Sequence, residues 1–132
     1  MKAFMVELDG PEVLVRITEA IAGKGANLTA VSILPGPPAC LGFIAEPEDA
    51  ARDALATIGV RAREHEVIPM SIANEPGALA RAARALDAAG APIELLLTLR
   101  ATRGHVVDMI AVTDPAKAHL VIRGLPADEP ID

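Results

Sequence analysis

The chain has no tryptophan, no tyrosine and only two phenylalanines. A core built around aromatic rings is therefore excluded, and so are the stacking platforms on which single-stranded nucleic acid is held. Basic residues are also in short supply, with 12 Lys and Arg against 18 Asp and Glu and a net charge of −6. Nucleic acid needs a basic face, so it is not an expected partner. One cysteine, Cys40, rules out an intramolecular disulfide framework and fits a reducing cytoplasm. No apolar run approaches the ~18 residues of a membrane span. The start, MKAFMVELDG, meets an acid by Glu7 and does not read as a secretory leader. The expected setting is cytoplasmic, without a membrane partner.

What the chain does have is aliphatic content. Apolar residues make up 52% of its 132 positions, so the core is expected to be Ala, Val, Leu and Ile. That length suits one domain or two small ones sharing a core. Shifting the sequence by 65 positions lays Pro11 on Pro76, Leu14 on Leu79, Arg16 on Arg81, Gly25 on Gly90, Leu34 on Leu99 and Gly59 on Gly124, without a gap. Matched prolines and glycines at element boundaries mark an internal duplication, with halves at 1–66 and 67–132.

Each half reads in the same order. Alternating apolar residues predict a first strand over 2–8 and over 67–73. A turn follows, Asp9-Gly10-Pro11 or Asn74-Glu75-Pro76-Gly77. Helical spacing of Val13, Leu14, Ile17 and Ile21, and of Leu79, Ala82, Ala83 and Leu86, predicts the next element. Gly25 and Gly90 stand where a left-handed C-terminal residue is wanted. Second strands are expected over 27–34 and 92–99, and third strands over 39–45 and 105–112. A second helix starts near Pro47 and near Pro115, the latter with Asp114 as its cap. Residues 60–66 read either as a fourth strand or as an extended crossing between far sheet edges. The two prolines and acids of the tail, residues 124–132, do not read as a ladder strand. The unit is βαββα(β), an α+β ferredoxin-like arrangement. Both helices are expected on one face of an antiparallel sheet, with the two sheets side by side. The nearly all-apolar run over 93–99 implies cover on both faces, and hence self-association.

The turn "NEPG" carries the chemistry. With Pro76 as the first helical residue, its missing N–H costs nothing, and the amides of Gly77, Ala78 and Leu79 stay open. Gly77 has no side chain to shield them, and the helix dipole adds positive charge, so a carboxylate fits there. Asn74 either stands at the entrance with a free amide or simply caps the helix. The matching turn departs from this pattern, because Asp9 replaces Asn74 and Glu12 stands where Gly77 does. There the carboxylates either cap their own helix or, through Asp9, hold an ammonium group. One competent half and one silent half is the expectation.

Other side chains are weaker candidates. Cys40, His65, His105 and His119 come from four elements with no short ligand spacing, so no metal or cofactor is expected. Glu64-His65-Glu66 reads as a solvated charged stretch. Asp108, inside an apolar strand, is expected to face solvent by alternation; if buried, it needs a partner. No set of nucleophile, base and orienting group appears, so the chain is not read as an enzyme.

Asn74-Glu75-Pro76-Gly77-Ala78-Leu79 resembles the Asn-x-Pro-Gly-x-Leu turn of the ACT domain family. Gly25-Ala26-Asn27-Leu28 is similar to the Gly-x-Asn-Ile entry into that family's second strand. The resemblance covers residues 2–123 and makes the chain look like a tandem of two ACT domains. It implies a regulatory protein that binds an amino acid or other small metabolite where two domains meet, as a homodimer or with a partner enzyme or regulator. The implied ligand-binding residues are Asn74, Glu75, Pro76, Gly77, Ala78 and Leu79, and in the first half Asp9, Gly10 and Pro11. The alternatives are a structural assembly subunit with no ligand and, further off, an enzyme on a ferredoxin-like scaffold.

Overall fold

The computed structural model describes residues 1–125. The chain divides into two compact units, the first spanning Met1–Glu66 and the second starting at Val67. Repeat 1 contains β1 (Lys2–Leu8), α1 (Pro11–Gly23), β2 (Asn27–Leu34), β3 (Ala39–Glu46), α2 (Glu48–Thr57) and β4 (Arg63–Glu66). Its antiparallel sheet has the order β2-β3-β1-β4. Repeat 2 contains β5 (Ile68–Ala73), α3 (Ala78–Ala88), β6 (Ile93–Ala101), β7 (His105–Val112) and α4 (Pro115–Arg123), with sheet order β5-β7-β6. This is the α+β, ferredoxin-like repeat pair that the sequence predicts.

Left-handed glycines follow α1 and α3, as expected, and also α2. Gly25, Gly59 and Gly90 have φ of +80°, +70° and +80°. Beyond each, the next amide reaches back to a carbonyl of the last turn: Ala26 to Ile21, Val60 to Leu55 and Ala91 to Leu86, at 2.9 to 3.2 Å. These closures satisfy end carbonyls and turn the chain sharply into the following segment. At the start of α4, the Asp114 carboxylate accepts from the Lys117 amide at 3.2 Å, the predicted cap.

In repeat 1, Phe4, Val6, Leu41, Phe43 and Ala45 share one sheet face and pack beneath Ile17, Ile21, Ala51 and Leu55 of the helices. The core is not purely aliphatic. Both phenylalanines of the chain meet there, stacked with centroids 5.2 Å apart. Repeat 2 packs Met70, Ile72 and Ile110 under Ala78, Ala82, Leu86 and Ala118, with alanines allowing a close approach.

Three expectations are corrected. Residues 63–66 are not a crossing: of the two alternatives the fourth strand forms, and its charged residues stay largely exposed, as a solvated stretch does. They form β4, in register with Lys2–Met5 of β1. Paired charges hold β4 down, and such pairs are invisible in a single segment's sequence. Arg52 grips the Glu64 carboxylate at 2.6 and 2.9 Å, and Glu66 receives the N-terminal amine at 2.9 Å and Lys2 at 3.1 Å. Asp108 does not face solvent. It is 2% exposed, beside Met70 and Thr98 in the ladder on the face that α3 and α4 cover. Strand β7 is apolar on both faces, so alternation carried no information there. The third correction is the start of α3, at Ala78 instead of Pro76. The expectation for the tail, residues 124–132, falls mostly on 126–132, outside the described residues.

Candidate functional site

The β5–α3 turn is closed in part from within, at the Ala78 amide and by side chains across it. Gly77 is the residue before the helix, with φ +88°, a left-handed conformation that favours glycine. Its function in the turn is therefore to reverse the chain, two residues later than the proline-led start predicted. The Ala78 amide, expected to be open, donates to the Glu75 carbonyl at 3.3 Å. Arg81 reaches back over the turn and binds the Glu75 carboxylate at 2.8 Å. Asn74 neither caps α3 nor stands free. Its backbone N–H donates to the Gly104 carbonyl at 3.1 Å, and its side-chain amide donates to the Thr102 carbonyl. Asn74 thus fastens the turn to the β6–β7 hairpin, whose Thr102 hydroxyl lies 3.0 Å from His105 Nδ1. The space left among Ile72, Ala73, Ala78 and Arg81 is about 20 Å³, room for one water.

The β1–α1 turn keeps the expected start. Gly10 is extended, Pro11 is the first helical residue, and no side chain caps α1. The self-capping alternative for this half is therefore not what the turn does. The Glu12 carboxylate instead lies over Gly10, where an added Cβ would come within 2.6 Å of it. A carboxylate so placed is favoured by the helix dipole without a formal cap.

The larger space lies in repeat 1. Strand β4 pairs with β1 only as far as Met5, and the segment from Ile58 to Ala62 arches beyond it. Between them is an open hollow of about 750 Å³, within the ~300–1,000 Å³ range of small-molecule sites. Met5, Val13, Ile58 and Val60 form its half-buried apolar part. Glu7, Asp9, Arg16, Arg61 and Arg63 supply charge of both signs, and Cys40 reaches it from β3. Of the predicted site residues, only Asp9 lines this hollow. Arg61 and Arg63 were passed over in the sequence. Their one signal is spacing, two arginines either side of Ala62 just past the Gly59 helix stop.

The remaining titratable groups fix structure. Hydrogen bonds from Arg52 hold Glu64 below its ordinary pKa, and those from the N-terminal amine and Lys2 do the same for Glu66. Burial pushes Asp108 up, against a hydrogen bond from the Thr98 hydroxyl at 2.8 Å. Among the described residues, no three His, Cys, Asp or Glu side chains converge as a metal would require. No described helix is long and apolar enough to cross a membrane.

No family model matches the sequence, and no curated protein does. The fold has clear counterparts among solved structures. The chain is similar to protein BT0572 of Bacteroides thetaiotaomicron, at 27% identity and TM-score 0.78, covering 92% of this chain and 85% of that one. It is also similar to the ligand-free regulatory subunit of aspartate kinase from Thermus thermophilus, at 19% identity and TM-score 0.67, covering 92% and 86%. The corresponding subunit from Thermus flavus gives 19% and 0.64, covering 92% and 89%. The tandem ACT-type fold implied by the Asn-Glu-Pro-Gly turn is the fold of this chain.

Proposed function

We propose that this chain is a non-catalytic regulatory protein that binds an amino acid or similar small metabolite beside its β1–α1 and β5–α3 turns and signals to a partner enzyme or regulator. The observation that carries the reading is the 750 Å³ hollow, which borders the β1–α1 turn through Asp9 and Val13. The likeness in fold to aspartate kinase regulatory subunits supports it. Asn74, Glu75, Pro76, Gly77, Ala78 and Leu79 belong to the proposal as a closed turn that a ligand carboxylate opens by displacing Glu75 from Arg81. Asp9 belongs to it as a lining residue of the hollow, and Gly10 and Pro11 as the turn that carries the chain from Asp9 into α1.

The test is thermal unfolding of the whole chain across the twenty amino acids and the branched-chain keto acids. A ligand at a hundred times its Kd stabilises the folded state by about 2.7 kcal/mol. A melting temperature that no compound raises at millimolar concentration removes the proposal.

A second reading, an assembly subunit without a ligand, is favoured by the closure of the β5–α3 turn by Asn74 and the Glu75–Arg81 pair. Under it, Asn74→Ala and Gly77→Ala change stability and nothing else. Both readings include a homodimer, for which the exposed edge strand β2 is the proposed contact.

A further inference from the structure

The chain carries an acidic excess, yet the hollow of repeat 1 reverses it. Arg16, Arg61 and Arg63 face two carboxylates, Glu7 and Asp9, which leaves one positive charge over. Elsewhere in this repeat the basic side chains find carboxylates: Lys2 pairs with Glu66, Lys24 with Asp53, and Arg52 with Glu64 and Asp49. In the hollow they do not. The side chains of Glu7, Asp9, Arg61 and Arg63 make no ion pair or hydrogen bond, and Arg16 spends one donor on the Ile58 carbonyl at 3.2 Å.

The ladder explains how the two signs are kept apart. Arg63 stands opposite Met5, and Glu7 lies two residues further along β1 on the same sheet face. Such diagonal neighbours are about 7–8 Å apart, a gap that a small zwitterion bridges. Met5 lies between them on that face.

We infer that this hollow binds a free acidic α-amino acid, its ammonium on Glu7 and Asp9 and its two carboxylates on the arginines. The inference rests on the proposed function and adds the seat and the ligand class. A neutral amino acid leaves a guanidinium without its anion, and a plain dicarboxylate leaves Glu7 and Asp9 without a cation. Both lose charge-assisted hydrogen bonds that the acidic amino acid makes.

Cys40 provides a local reporter, since it is the chain's one cysteine, lines the hollow and pairs in register with Glu7. Alkylation of Cys40 by neutral iodoacetamide is followed by mass spectrometry on the full chain, with calorimetry in parallel. L-Glutamate or L-aspartate is expected to slow alkylation saturably, with L-leucine and glutarate at least about tenfold weaker. Arg63→Gln and Glu7→Gln are each expected to weaken protection about tenfold, with folding checked by circular dichroism. Arg61→Gln serves if either fails to fold, and exposed Arg84→Gln has no effect. An amino acid that binds by calorimetry without protecting Cys40, or whose protection survives these substitutions, overturns the seat and leaves the regulatory reading standing. Leucine or glutarate protecting as well as glutamate overturns the ligand class. Neither heat nor protection with any amino acid overturns the inference, and the regulatory reading falls with it only if the thermal survey of amino acids and keto acids is also blank.

Discussion

A Cβ placed on Gly77 would meet only the mobile end of Arg81, at 3.0 Å, but it would be carried on a backbone at φ +88°. The same addition at Gly10 meets the Glu12 carboxylate, a flexible group able to swing aside, on an extended backbone at φ −174°. Gly77→Ala is therefore expected to cost about 1–2 kcal/mol, the left-handed penalty for an L residue. Gly10→Ala is expected to change stability by no more than about 0.5 kcal/mol. Urea unfolding of the two variants checks the contrast, and equal losses would contradict it. Asp108 is the other residue whose environment sets a measurable cost. Burial raises its pKa in the folded state, so the folded chain holds a proton there that the unfolded chain has released. Stability from this group accordingly falls as pH rises from the unfolded value through the folded one. Asp108→Asn keeps an acceptor for Thr98 and removes the charge. It should raise the melting temperature at pH 7 and leave it unchanged near pH 3, with no gain at pH 7 counting against the assignment. The need for a partner if Asp108 were buried was visible in the sequence, but its burial was not. Val106, Val107, Met109 and Ile110 surround Asp108 with apolar residues of both parities, and only the pairing with Met70 and Thr98 tells which face is covered.

Among the elements, those whose ends are written in local chemistry were legible and those that depend on distant partners were not. Gly25, Gly90 and Asp114 mark helix ends by backbone preference and capping, which act within a few residues. Strand β4 has the sequence Arg-Glu-His-Glu, with no apolar alternation to announce it. It is a strand because β1 offers an edge and because Arg52 lies across the gap. The Arg52 guanidinium joins Glu64 to Asp49 and sits 5.7 Å above the Phe4 ring, so one side chain couples α2, β4 and the core. Arg52→Ala is expected to speed hydrogen exchange of the 63–66 amides while those of β6 and β7 keep their protection. Uniform acceleration in both repeats would show that the clamp acts globally instead. The carboxylates of Glu64 and Glu66 have depressed pKa values, so what they contribute is present above their unfolded values and lost as pH falls through the folded ones. The same local opening should then appear on acidification without any substitution.

At the scale of the whole chain, the duplication was legible because paired prolines and glycines survive at boundaries, while the hollow was not. It exists where β4 stops short of the end of β1, and that is a consequence of docking, not of any motif. The long-range feature that does follow from residue type is the outer edge of repeat 1. Strand β2 is an edge strand, and Val31, Ile33 and Leu34 on it are 50, 49 and 61% exposed. An edge of β-branched and aliphatic residues, with none of the charges that usually guard one, is a template for pairing. A second copy is the occupant that such an edge fits, because antiparallel pairing of β2 with itself about a two-fold axis matches register and apolar residues on both sides. Wild-type chain is therefore expected to sediment as a dimer and to show a melting temperature that rises with protein concentration. Ile33→Glu places like charges near each other across that axis and should give a monomer whose melting temperature no longer depends on concentration. Ile33→Val preserves the apolar edge and should keep the dimer. Analytical ultracentrifugation of the three proteins decides the matter, and a dimer that persists in Ile33→Glu would move the contact to another surface.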